Sequence, residues 1–109
     1  MMKERAANVF RSDDGRRRLK ASNGLMSAVG AVLRLVEGVR EVRVLHRDDE
    51  RSKFFVVLEN LNAEGIHAVV QTMVQIEETF GDEQFDYDTI GVNSVDLIPA
   101  SAKVVSTGS

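Results

Sequence analysis

Five consecutive apolar residues, Phe54-Phe55-Val56-Val57-Leu58, set the strictest condition on this chain. Side chains alternate across a strand, so Phe54, Val56 and Leu58 point one way while Phe55 and Val57 point the other. Such a run belongs to an inner strand covered on both faces. It is the second half of "GVREVRVLHRDDERSKFFVVLEN", residues 38–60, two apolar strands joined by a charged link. In the first strand Val42, Val44 and His46 share one face, and Arg43 and Leu45 the other. The link "RDDERS" lacks the Asn-Gly or Asp-Gly pair of a two-residue turn, which predicts a longer hairpin loop. Its acids, Asp48, Asp49 and Glu50, read first as a solvated tip that discourages edge pairing.

Helices flank this hairpin. In "SNGLMSAVGAVLRLVEG" the apolar residues Leu25, Val29, Val32, Leu33 and Val36 form one stripe of a 3.6-residue repeat. Ser22 or Asn23 caps its start and Gly38 its end. In "NAEGIHAVVQTMVQIEETFG" the stripe is Ile66, Val69, Val70, Met73, Ile76 and Phe80, with Asn62 as N-cap and Gly81 as terminator. "QFDYDTIGV" then alternates, with Phe85, Tyr87 and Thr89 on one face and Asp86, Asp88 and Ile90 on the other. One wetter face marks an edge strand. Pro99, the single proline, reduces the C-terminal stretch to a turn and a short strand near Val104 and Val105.

The order α-β-β-α-β, with a right-handed crossover between the strands on either side of the second helix, places both helices on one face of a mixed sheet. This is an α+β, two-layer, ferredoxin-like sandwich with an αββαβ core. It becomes βαββαβ if "ANVFR" pairs as a first strand. Residues 1–20 are set apart as a basic arm, 21–105 as the α+β domain and 106–109 as a tail. Two helices on one side leave Phe55 and Val57 uncovered, and an exposed apolar sheet face predicts an interface. The predicted mate is a second copy, with Phe55, Val57, Phe85 and Tyr87 at the contact.

Charge is unevenly distributed. Residues 1–20 carry seven Lys/Arg against three acids, a net of +4, which leaves −7 on the rest of a chain whose net charge is −3. The arm, with Arg16, Arg17 and Arg18, offers a surface for an acidic partner or a nucleic acid. With no cysteine there is no disulfide framework or thiolate ligand. No apolar run has the length of a membrane span, and no apolar h-region follows the first charges. These features predict a cytoplasmic protein without membrane contact.

Three clusters are candidates for chemistry. His46 with the acids of the hairpin tip has the donor types of a divalent-cation site, although Arg47, Arg51 and Lys53 oppose it. Glu64 and His67 have the Glu-x-x-His spacing that points both side chains to one side of a helix, here present once. Asp86 and Asp88 share a strand face at roughly 7 Å, from a rise of about 3.3 Å per residue. That spacing suits a shared cation, or an acid–base pair for hydrolysis or nucleotide processing. His46, His67, Asp86 and Asp88 are thus the metal-ligand candidates. No phosphate loop, nucleophile elbow or H-E-x-x-H helix occurs.

The run "LMSAVGAVLRLVEGVREVRVLHRDDERSKFFVVLENLNAEGIHAVVQTMVQIEETF" resembles the cytoplasmic C-terminal domain of cation diffusion facilitator transporters. The shared features are a helix ending in Gly-Val, a hairpin, and a helix opening with a histidine shortly after an acid. The resemblance implies dimerisation and divalent-metal binding, with His67 as a ligand. The chain departs from the pattern where "FDYD" offers aspartates in place of a histidine-bearing strand. The residues themselves predict a small non-enzymatic, self-associating interaction or regulatory domain. A divalent-metal sensor and a hydrolase built on Asp86 and Asp88 are the alternatives.

Overall fold

The computed structural model describes residues 21–47 and 51–107. Helix α1 (Asn23–Leu33) starts where Ser22, in extended conformation, accepts a hydrogen bond from the Leu25 amide at 3.0 Å. Its stripe buries Leu25, Val29 and Leu33. The chain leaves the helix at Leu33 through a series of turns, so Gly38, with φ of +93°, ends the turn and not the helix. Strands β1 (Val39–Leu45) and β2 (Ser52–Leu58) form the expected antiparallel hairpin. Helix α2 (Ala63–Thr79) begins at Asn62, whose side chain accepts from the Gly65 amide at 2.8 Å. Strand β3 (Phe85–Gly91) follows, then a 3-10 helix (Val92–Leu97) kinked at Ser94, then β4 (Lys103–Thr107). The last strand draws Ser106 and Thr107, assigned to the tail by the sequence, into the sheet.

The result is the two-layer α+β sandwich, a mixed four-stranded sheet ordered β3-β2-β1-β4. The β2-α2-β3 crossover makes β2 and β3 parallel direct neighbours, from Ser52 opposite Phe85 to Leu58 opposite Gly91. β4 pairs antiparallel with the far side of β1. The additional strand considered at "ANVFR" falls outside the described residues.

Burial separates the two sides of β2. Phe54, Val56 and Leu58 join Leu25, Val29, Leu33, Val69, Met73 and Ile76 in the main core between sheet and helices. Phe85 closes one end of it, its ring edge-on to Phe54 at 5.5 Å and 89°.

The opposite face corrects the sequence expectation. Phe55 and Val57 are only 6% and 2% exposed, because Ile98 and its neighbours Val92, Val95 and Ala102 cover them in a second core. Val92, Val95 and Ile98 recur every three residues, the repeat of a 3-10 helix, which turns all three toward the sheet. The chain thus covers its own second face. Phe55, Val57 and Phe85, expected at an interface, are interior residues. Tyr87 stays partly exposed.

Candidate functional site

The paired aspartates are occupied by cations. On the second sheet face Lys53 lies beside Asp86, and Phe55 beside Asp88. Asp86 accepts from Arg47 Nη2 at 3.1 Å and faces Arg51 Nη1 at 3.6 Å. Asp88 pairs with Lys53 Nζ at 3.4 Å, and the same ammonium stands 5.4 Å from the centre of the Phe55 ring. Arg47 also donates to the Arg51 carbonyl, which closes the mouth of the hairpin. Three cations around two carboxylates repel a divalent metal ion. Arg47 and Arg51, read from sequence as tip residues that dilute the acids, are the groups that tie the hairpin to β3. Asp48, Asp49 and Glu50 lie outside the described residues, as do Arg16, Arg17 and Arg18.

The two histidines stand apart. His67 is exposed on α2. His46 Nδ1 shares a hydrogen bond of 2.9 Å with the hydroxyl of Ser52, a residue the sequence reading passed over. That hydroxyl also accepts from the Ala21 amide at 2.9 Å. A serine–histidine pair invites a nucleophile–base reading, but Ser52 is fully buried. Its oxygen satisfies the backbone at the entrance to α1 and has no path to a substrate. Its one sequence signal is a small polar residue opening an otherwise apolar strand. Among the described residues, no three His, Cys, Asp or Glu side chains gather where they could hold a metal ion. His46, His67, Asp86 and Asp88 are therefore not brought together.

The edge of the sheet is different. β3 ends the strand order, so among the described residues its outer backbone ladder has no strand partner. Such an edge is a template for another extended segment. Helix α2 overhangs it. At about 100° per residue, Val70, Val74 and Glu77 lie roughly opposite Thr72, Ile76 and Thr79 around the helix. The latter three line the groove of about 210 Å³ that α2 forms with α1. Val70, Val74 and Glu77 therefore flank β3. Glu77 acts on Tyr87 from there: burial first, and then the Glu77 charge, push the Tyr87 phenol above its ordinary range.

Leu61 completes the ledge. A Cβ built on Gly91 would stand 3.4 Å from the Leu61 Cβ, so Leu61 lies against the end of β3. Leu61, Val70 and Val74 are 54%, 37% and 45% exposed. Three exposed large apolar side chains thus stand on the side of a strand that is unpaired among the described residues, and exposed apolar surface of this kind marks interaction sites on soluble domains. A second cleft, about 420 Å³ between Gly38, Leu58, Asn60 and Gly65, has Glu37 and Glu64 in its lining and gathers no chemical constellation. No helix among the described residues is long and apolar enough to cross a membrane. No family model matches the chain, and no curated protein matches it.

Proposed function

We propose that this chain is a small non-enzymatic interaction or regulatory domain that works by associating with itself. One observation carries the reading: the β3 edge, unpaired among the described residues, with the exposed apolar residues Leu61, Val70 and Val74 on its side of the domain. The contact surface differs from the one the sequence pointed to. The sheet face is filled by the chain's own Ile98, and the edge takes over its role.

The two chemical alternatives have less support. A hydrolase using Asp86 and Asp88 needs carboxylates free to exchange protons with a substrate, and both are held by Arg47, Arg51 and Lys53. A metal sensor of the kind the transporter-domain resemblance implies needs His67 to have company, and it stands exposed on α2 in no group of three candidate ligands among the described residues. The cysteine-free composition suits a reducing compartment, and the reading places the protein in the cytoplasm. The basic arm is left as a second contact for an acidic partner or nucleic acid through Arg16, Arg17 and Arg18.

Equilibrium sedimentation of the full chain at micromolar concentration tests self-association. A dimer mass is expected. A clean monomer across that range would remove the reading.

A further inference from the structure

The β3 edge is complementary to itself. Tyr87, Thr89 and Gly91 lie on the helix side of β3, opposite Phe54, Val56 and Leu58 of β2. Tyr87 is a partly exposed ring resting on the edge of the main core, Gly91 leaves a gap beside Leu61, and the two sit symmetrically about Thr89. We propose, on the reading that the protein self-associates, that β3 pairs antiparallel with the β3 of a second copy about a twofold axis through Thr89. Two four-stranded sheets then join into one of eight. The Tyr87 ring of each copy covers Gly91 of the other and packs against Leu61, an aromatic filling the space a glycine leaves at an edge.

The charge pattern selects this register. Directly opposed residues in an antiparallel pair face the same side, so the axis must pass through a residue and not between two. An axis at Asp88 sets that carboxylate against its own copy. An axis at Tyr87 sets Asp86 against Asp88 twice. Like charges directly opposite destabilise a pair. An axis at Ile90 runs out of strand, since β3 stops at Gly91. With the axis at Thr89, Asp88 faces Ile90 and Thr89 faces Thr89, a favourable cross-strand pair. The same rotation turns the exposed Val70 and Val74 flanks of the two α2 helices toward each other.

The chain has no cysteine, which makes the test clean. Directly opposed antiparallel residues place their Cα atoms roughly 4.5–5.5 Å apart, within disulfide reach. Under mild oxidation the full-length Thr89→Cys variant should become a covalent dimer. Asp88→Cys, displaced from its own copy, and Val104→Cys, on the far edge strand β4, should stay largely uncrosslinked. Crosslinking of Asp88→Cys in preference to Thr89→Cys overturns the register. A protein that sediments as a dimer and crosslinks through Val104→Cys alone keeps the self-association reading and loses this interface. A monomeric unmodified protein loses both, and β3 amides protected from hydrogen exchange in that monomer would assign the edge to another part of the same chain. Because any one cysteine variant can fail to fold, Tyr87→Ala provides a second reading. It removes the ring from Gly91 and should weaken the dimer in sedimentation, and an unchanged dimer also counts against the proposal.

Discussion

Glu83 holds Ser22 with both carboxylate oxygens: Oε1 accepts from the Ser22 amide at 2.9 Å and Oε2 from its hydroxyl at 2.8 Å. The loop before β3 is thereby fastened to the cap of α1, since the same hydroxyl oxygen accepts from the Leu25 amide. Ser22→Ala removes a helix cap and should cost about 1 kcal/mol. Glu83→Ala should cost roughly 0.5–1.5 kcal/mol, the range of an ordinary hydrogen bond, because solvent at this exposed site weakens the extra contribution of the charge. The two residues act through one contact, so the double variant should lose clearly less than the sum of the singles. Additive losses in urea unfolding would show that the clamp does not hold in solution.

Tyr87 gives a pH signature. Burial and the nearby Glu77 raise its phenol pKa in the folded protein. The phenol is neutral when protonated, so a raised folded value means the folded state keeps this proton after the unfolded chain has lost it. Stability from this group is fully present below the ordinary tyrosine range. It falls as pH rises from the unfolded toward the folded pKa, and then levels off. Tyr87→Phe should remove that part of the alkaline loss. As the only tyrosine in a chain without tryptophan, Tyr87 can be followed by its own phenolate absorbance. A midpoint at or below the free-tyrosine value would contradict the structure.

What the sequence made legible was local. The stripe through Leu25, Val29 and Leu33 and the Asn62 cap depend on spacings within a few residues, and they fold as spaced. Strand β3 was recognisable as an edge because Asp86 and Asp88 give it a wet face. The cover over Phe55 and Val57 was not legible, because Val92, Val95 and Ile98 repeat every three residues, a period of neither α-helix nor strand, and Pro99 breaks the run. Contacts between distant residues were also hidden. Ser52 meets Ala21 across 31 positions and Ser22 meets Glu83 across 61, and no local pattern announces either. The arginines on Asp86 come from a hairpin whose charges read alone as a solvated tip.

Gly30 separates packing from propensity. It sits in the interior of α1, where alanine is intrinsically favoured by about 1 kcal/mol. A Cβ there would stand 2.8 Å from Val105 Cγ1 and 3.3 Å from Ser106 Cβ, on β4. A β-branched side chain has little freedom to move aside. Overpacking costs roughly 1–3 kcal/mol, so Gly30→Ala should lose about 1–2 kcal/mol despite the better helix former. Adding Val105→Ala should recover much of that loss. If Gly30→Ala stabilises the protein, α1 and β4 are not in close contact.

The self-made cover of the sheet yields the last prediction, because two adjacent residues should behave oppositely. Ile98 is 6% exposed and packs on Phe55 and Val57, while Leu97 is 76% exposed. Substituting a buried isoleucine by alanine removes its transfer free energy and leaves a cavity, typically 2–5 kcal/mol in total. The second core is small and lies near the surface, so it can partly collapse, and Ile98→Ala should cost about 2–3 kcal/mol. Leu97→Ala, at an exposed site, should stay within about 0.5 kcal/mol of the parent. Ile98→Asp is the sharper variant. It places a carboxylate against two apolar side chains and should either unfold the domain or lift the 92–102 segment off the sheet, uncovering Phe55 and Val57 to a hydrophobic dye. Chemical denaturation of the three variants together decides the point. Equal losses for Leu97→Ala and Ile98→Ala, with no new dye binding in Ile98→Asp, would mean that the C-terminal segment does not cover this face and that Phe55 and Val57 are again open to a partner.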